Sequence, residues 1–222
     1  VTGCLIDALT NEENSVADNS REQKRRQGLW YLILTGIVGL ILVGGLIALQ
    51  PVGQPLSWAI RGAALLGYLA LFLASLASAY MREMFKLFGR PFVRVHHILS
   101  VAALILITLH PLLAAVRSSS LLVFLPDFSS VDRFFSLGGR PAWYLIGLAS
   151  LAGLLRTRIK QMWRVIHYLN YVAFLLVTVH AILIGTDFVG SLVMKVMAVL
   201  MALVLVAVFI RKRIQRRRLR RR

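Results

Sequence analysis

Val95-His96-His97-Ile98-Leu99-Ser100-Val101-Ala102-Ala103-Leu104-Ile105-Leu106-Ile107-Thr108-Leu109-His110-Pro111-Leu112-Leu113-Ala114-Ala115-Val116 holds no carboxylate, lysine or arginine over twenty-two residues. As an α-helix rising 1.5 Å per residue it reaches about 33 Å, enough to cross a hydrocarbon core of about 30 Å. Lipid offers no partner for backbone N–H and C=O groups, so a run of this kind crosses as a helix. His96, His97, His110 and Pro111 break its apolar character. An ionisable ring inside a bilayer is costly, which makes each of these histidines a functional hypothesis.

Working outward, five further apolar runs appear: Leu29–Leu49, Leu56–Tyr80, Pro141–Leu155, Val165–Gly185 and Val189–Ile210. With 58% hydrophobic residues and a mean hydropathy of +0.74, the chain is too apolar for a soluble domain. The expectation is an all-α polytopic membrane protein of six transmembrane helices. The first run is too long for a signal-peptide core and is expected to remain a helix. The fourth is the shortest, about 22 Å if helical, and Ser136 to Arg140 are available to extend it. Residues 1–28 read as a disordered cytoplasmic segment, 29–210 as the transmembrane domain and 211–222 as a polybasic cytoplasmic tail. Cys4 is the single cysteine, so these residues contain no internal disulfide and no cysteine-built zinc or iron–sulfur site.

The net charge is +17, with twenty-six basic and nine acidic residues. The basic residues cluster between apolar runs, which marks topology rather than nucleic-acid binding. Six spans put both termini on one side. Twenty-one of the basic residues then fall on that side and five elsewhere (Arg61, Arg117, Arg133, Arg140 and Lys195). The positive-inside rule places both termini in the cytoplasm.

All five histidines stand in the third and fifth runs: His96, His97, His110, His167 and His180. His97 and His110 are thirteen residues apart, as are His167 and His180, and His97 and His167 are each third in their run. Both helices run outward. The rings therefore form two levels about 20 Å apart. His97 faces His167 near the cytoplasmic surface, and His110 faces His180 farther out. Imidazoles from facing helices of a bundle can ligate haem iron at both axial positions. Zinc or copper would compete for them, but no carboxylate or thiolate stands at these levels. Rotation about the helix axis keeps His96 open as the alternative inner ligand. Thirteen steps leave two side chains about 140° apart, whereas fourteen, the His96 to His110 spacing, leave about 40°. Matched depth, the spacing in the fifth run and a kink expected at Pro111 favour His97.

Gly89-Arg90-Pro91-Phe92-Val93-Arg94-Val95-His96-His97 with His110 closing the run resembles the third helix of the ferric reductase-like transmembrane domain family. Trp163-Arg164-Val165-Ile166-His167-Tyr168-Leu169-Asn170-Tyr171 with His180 closing is similar to the fifth helix. That family includes ferric reductases, NADPH oxidases and the haem subunit of the bacterial methionine-sulfoxide reductase system. The resemblance implies haem b, one or two groups, with His97, His110, His167 and His180 as iron ligands. It implies an electron-transfer component of an oxidoreductase system in a membrane, most simply a bacterial inner membrane. Family oxidases continue into flavin and nicotinamide domains, whereas this chain ends in an arginine-rich run without a glycine-rich phosphate loop. The expected donor is therefore separate, a flavoprotein reductase or a quinol, and the expected acceptor lies at the outer face. No catalytic side chain is named, because outer-sphere transfer needs none.

Arg94, Arg158 and Arg164 near the inner level, and Arg117 and Arg140 near the outer, are candidates for pairing with haem propionates. The long outer loop from Arg117 to Arg140, with Leu121, Leu122, Phe124, Phe128, Phe134 and Phe135, reads as an interfacial segment beside the outer level. Gly36, Gly39, Gly62 and Gly67 read as points of close helix packing. Two other functions compete: a transporter relaying protons through its histidines, and a structural subunit without cofactor. The transporter reading calls for carboxylates in the span cores, and no run contains one.

Overall fold

A computed structural model of the protein describes residues 54–81 and 91–220, together with Gln23, Ile37 and Phe85. Apart from those single residues, the segment 1–28 and the expected first span lie outside the described residues, as do Cys4, Gly36 and Gly39. The described chain is helix joined by turns: α1 (Pro55–Ala79), α2 (Pro91–Ser118), a 3-10 turn (Leu121–Phe124), α3 (Val131–Ser136), α4 (Gly139–Leu154), α5 (Met162–His167), α6 (Leu169–Ile184), α7 (Thr186–Val189) and α8 (Leu192–Arg220).

Among the described residues four stretches are long and apolar enough to cross a membrane: Pro55–Ala79, Val93–Ser118, Met162–Ile184 and Leu192–Gln215. They mark an all-α integral membrane protein. The expected fourth span is α4, whose sixteen residues reach only about 24 Å. The turn at Leu137 and Gly138 separates it from α3, so it does not extend back to Ser136. The expected sixth span stopped at Ile210, yet α8 continues to Arg220. Arginine, lysine, glutamine and leucine are good helix formers, and cations suit the carbonyl end of a helix. The basic run is thus a helical extension as far as Arg220.

Local chemistry sets the other ends. Pro55 opens α1, where its missing N–H has no helical partner to lose. α2 closes in a Schellman motif: Ser120 N donates to Ala115 O (3.1 Å) and Ser119 N to Val116 O (3.3 Å), with Ser119 left-handed at φ 49°. Ser120 then accepts from Leu122 N at 3.2 Å and starts the 3-10 turn.

α1 packs along α2, and α4 along α6, while α8 leans on α6 and α1. Gly67 allows the first pairing: a Cβ there would lie 3.2 Å from the backbone N of Ile107 and the side chain of Leu106. At mid-depth Tyr68 stacks on Phe174 with centroids 4.8 Å apart, and Phe188 meets it edge-on at 6.3 Å. Thr178 donates to Phe174 O at 2.8 Å, so the Tyr68 hydroxyl donates to Thr178 Oγ1 at 2.9 Å. This packing holds α1, α6 and α7 together between the two ends of the bundle. The histidine-bearing helices α2 and α6 are not packed closely on each other, and His167 stands at the end of the short α5 that precedes α6.

Candidate functional site

Four histidines share one geometry. His96 Nδ1 lies 3.2 Å from Ala74 O, His110 Nδ1 3.1 Å from Ile60 O, His167 Nδ1 3.1 Å from Ala149 O, and His180 Nδ1 2.7 Å from Ser136 O. A carbonyl oxygen only accepts, so in each pair Nδ1 carries the proton and donates. That selects one tautomer and leaves the Nε2 lone pair uncommitted. A metal-ligating histidine uses this same arrangement, with the outer nitrogen orienting the ring and raising its basicity. His96 and His167 lie within electrostatic reach of each other at one end of the bundle, and His110 and His180 at the other. The neighbours are thus His110 with His180 and, at the other end, His167 with His96, the alternative inner residue rather than His97.

His97 does not share this geometry. It is exposed, while His96 beside it is partly buried, turned toward α1 and bonded to Ala74. The two rings stand 5.9 Å apart. The reason is the rotation already noted: along one uninterrupted helix, the fourteen-residue step keeps His96 close to the face of His110.

The carbonyl partners follow the same registers. Ile60 and Ala74 on α1 are fourteen residues apart, like His96 and His110 on α2. Ser136 and Ala149 are thirteen apart, like His167 and His180. Both thirteen-residue steps cross a break, one between α3 and α4 and one between α5 and α6 at Tyr168. At Tyr168 the chain tightens: Tyr168 N is shared between Arg164 O and Val165 O, both at 3.2 Å, and Tyr171 N bonds Tyr168 O at 3.0 Å, across three residues. A 3-10 turn advances about 120° per residue against about 100° in an α-helix. One such turn adds about 60°, which recovers part of the 140° offset between His167 and His180.

Two glycines of α4 make room for the rings. A Cβ on Gly139 would lie 3.1 to 3.3 Å from Cδ2, Nε2 and Cε1 of His180, near-equal distances that put it over the ring face. A Cβ on Gly153 would meet His167 at an ordinary 3.8 to 3.9 Å. Trp143 Nε1 donates to Thr108 Oγ1 at 3.2 Å and ties α4 to α2 two residues before His110.

Of the candidate cations, Arg117 lies within electrostatic reach of His110, and Arg140 within reach of His180. Arg140 is partly buried and donates to Leu125 O at 2.8 Å, which docks the loop over this end. Arg94, Arg158 and Arg164 are exposed at the opposite end, where Arg164 sits over the Trp163 ring at 5.7 Å. Leu121, Leu122, Leu125, Phe128 and Val131 are exposed along the loop. In the same loop Asp127 accepts from Ser129 and faces Arg133 at 3.3 Å. The hydrogen bonds from Ser129, and then Arg133, hold its carboxyl below the ordinary carboxylate range. An open cleft of about 500 Å³, lined by Asp132, Arg133, Phe135, Ser136 and Val179 among others, reaches Ser136 and so the support of His180.

A further pair was not anticipated. Arg61 and Asp187 are 8% and 5% exposed and form a bidentate ion pair, with Arg61 Nε 3.1 Å from both carboxylate oxygens. The signal was present: a lone arginine inside an apolar run demands a counter-charge, and Asp187 follows the fifth run.

Fold and site together define a helical membrane protein in which four histidines of the apolar helices donate from Nδ1 to backbone carbonyls of neighbouring elements. The chain belongs to a family described as a domain of unknown function (DUF8596), matched over residues 56–187. That stretch contains all five histidines, the four carbonyl partners and both members of the buried ion pair. No curated protein and no solved structure matches the chain.

Proposed function

We propose that the protein is a membrane b-type cytochrome that carries electrons across the bilayer through haem held by paired imidazoles. It serves as the haem component of a ferric reductase-like system. The observation that carries this reading is the set of four Nδ1–carbonyl bonds, in two layers, each leaving an Nε2 lone pair to donate. Among the described residues no three of His, Cys, Asp and Glu converge. The donors come in twos, which suits a group with two open axial positions better than a bare metal ion.

The assignment is two haems. His96, the alternative to His97, and His167 would hold the inner one, and His110 and His180 would hold the outer. The bound group supplies one-electron chemistry. The chain's own residues orient the imidazoles, and Arg117 and Arg140 supply positive charge for carboxylates at the outer layer. Six helices with both ends cytoplasmic complete the topology, the first formed by the run Leu29–Leu49 and the short fourth by α4. The donor is a separate flavoprotein reductase or a quinol, and the cleft beside Ser136 gives an acceptor access to the outer layer.

The test is the reduced-minus-oxidised spectrum of protein purified from a haem-replete host, with haem counted per chain. Two haems per chain are expected, each lost separately on substitution of its own histidines. A purified, folded protein without a haem spectrum overturns the reading in favour of a proton relay or a structural subunit.

A further inference from the structure

The end of the molecule that carries His96 and His167 is strongly cationic. Arg94, Arg156, Arg158, Lys160 and Arg164 are exposed there. The basic end of α8 joins them. Phe209 packs on Tyr168 and Tyr171, with ring centroids 5.5 and 4.9 Å away, and Lys212 lies over the Tyr80 ring at 4.4 Å. The carboxylates among the described residues, Asp127, Asp132 and Asp187, stand at the other end. α8 also projects. From Leu192 to Ile210 its one charged residue is Lys195, and this stretch rises about 28 Å, close to a hydrocarbon thickness of about 30 Å. The helix continues through Arg211–Arg220, where seven of ten residues are basic, for about 15 Å more. A headgroup layer is only about 5 to 8 Å deep on each side, and a tilt of about 40° still leaves about 11 Å of rise. At about 100° per residue the basic positions fall all round the axis, so no apolar stripe lets this segment lie along a lipid surface. The extension stands through the headgroups into water.

We infer that this cationic end is the docking surface for the acidic face of a soluble flavoprotein that delivers single electrons to the inner layer. This rests on the haem reading above and commits to the flavoprotein rather than the quinol as donor. Complementary charge speeds encounter and fixes orientation, raising association about ten- to a thousandfold at low salt. Exposed His97 opens on the same end, its ring 5.9 Å from that of His96, so a protein docked here stands over the nearer histidine layer. One electron leaves the reduced flavin of the partner and one ferric iron becomes ferrous, with no bond made or broken. Exposed, salt-screened contacts hold such a complex only briefly, as delivery of successive electrons requires.

The experiment uses the full chain in phosphatidylcholine nanodiscs, which remove anionic lipid, and flavodoxin, a small acidic flavoprotein, as the probe. Binding of oxidised flavodoxin is read by biolayer interferometry, and haem reduction by reduced flavodoxin in stopped flow. The variant Arg211→Gln/Arg213→Gln/Arg217→Gln is expected to weaken binding and slow reduction roughly tenfold at low salt. It is expected to match wild type at about 1 M salt, where the screening length falls to about 3 Å. Reduction by the uncharged, photogenerated deazariboflavin radical is expected to be equal in the two proteins. If the α8 variant does not accumulate, Arg156→Gln/Lys160→Gln on the turn before α5 carries the same expectation. Binding indifferent to salt and substitution, or flavodoxin reduction that the variant does not slow, overturns the inference and leaves the haem reading standing. Absence of flavodoxin binding also overturns it, and retention of phosphatidylglycerol by wild type but not by the variant then makes lipid the occupant. A wild type without haem overturns the haem reading and the donor role with it, while the binding readout still decides the docking surface.

Discussion

A histidine whose Nδ1 donates to a carbonyl has one nitrogen left to offer, and four rings in this protein are in that state. At the residue scale this separates two adjacent positions. His96→Ala is expected to remove one of two haems per chain, whereas His97→Ala is expected to retain both, by haem content per chain. Equal loss in the two variants would return the inner layer to an undecided state between them. The glycines of α4 make a second contrast. Gly139→Ala puts a methyl about 3.1 Å from the His180 ring, closer than ordinary contact, and is expected to displace the outer haem. Gly153→Ala adds a methyl at 3.8 to 3.9 Å from His167 and is expected to leave haem content unchanged. The histidines themselves were legible in the chain, since five rings in two apolar runs have few explanations. Their carbonyl partners were not, because every residue carries a carbonyl and only packing selects Ala74, Ile60, Ala149 and Ser136.

At the scale of elements, breaks in the helices matter as much as the helices. The thirteen-residue step from His167 to His180 crosses a tight turn at Tyr168 that adds rotation, while α2 keeps its fourteen-residue step without interruption. Helix periodicity alone therefore describes α2, from His96 to His110, and does not describe the broken helix α5–α6. The left-handed Ser119 at the end of α2 is strained for an L-residue. Ser119→Gly is expected to stabilise the protein by roughly 1 kcal/mol, read from unfolding in detergent. Tyr68→Phe removes one hydrogen bond to Thr178 and keeps the stack on Phe174, with an expected loss of about 1 kcal/mol. The Asp127 turn carries a pH dependence of known sign. Its carboxyl is held below the ordinary value of 3.8 by Ser129 and then Arg133. The ionised turn is therefore fully favoured above about pH 3.8 and is lost as pH falls through the lowered value. Trp143, which Phe124 of the same loop contacts, is expected to report this as an emission change confined to pH below that value.

For the whole molecule, the distribution of charge defines two unlike ends. Arg94, Arg158, Arg164 and the end of α8 share one, and Arg117, Arg133 and Arg140 the other. With Cys4 replaced by serine, a cysteine introduced by Ser129→Cys is expected to react with an impermeant thiol reagent on intact cells. One introduced by Thr157→Cys is expected to react only after lysis. The reverse labelling would invert the topology. From the sequence alone came the membrane class, the helical architecture and the placing of all five histidines in apolar runs, because hydropathy, charge and spacing are carried by residue types along one dimension. Only the tertiary structure showed that His96 rather than His97 bonds a carbonyl of α1, that α1, α3 and α4 supply the orienting carbonyls, and that Arg61 meets Asp187. Each of these depends on how neighbouring helices rotate and dock, and on backbone groups that are the same in every residue.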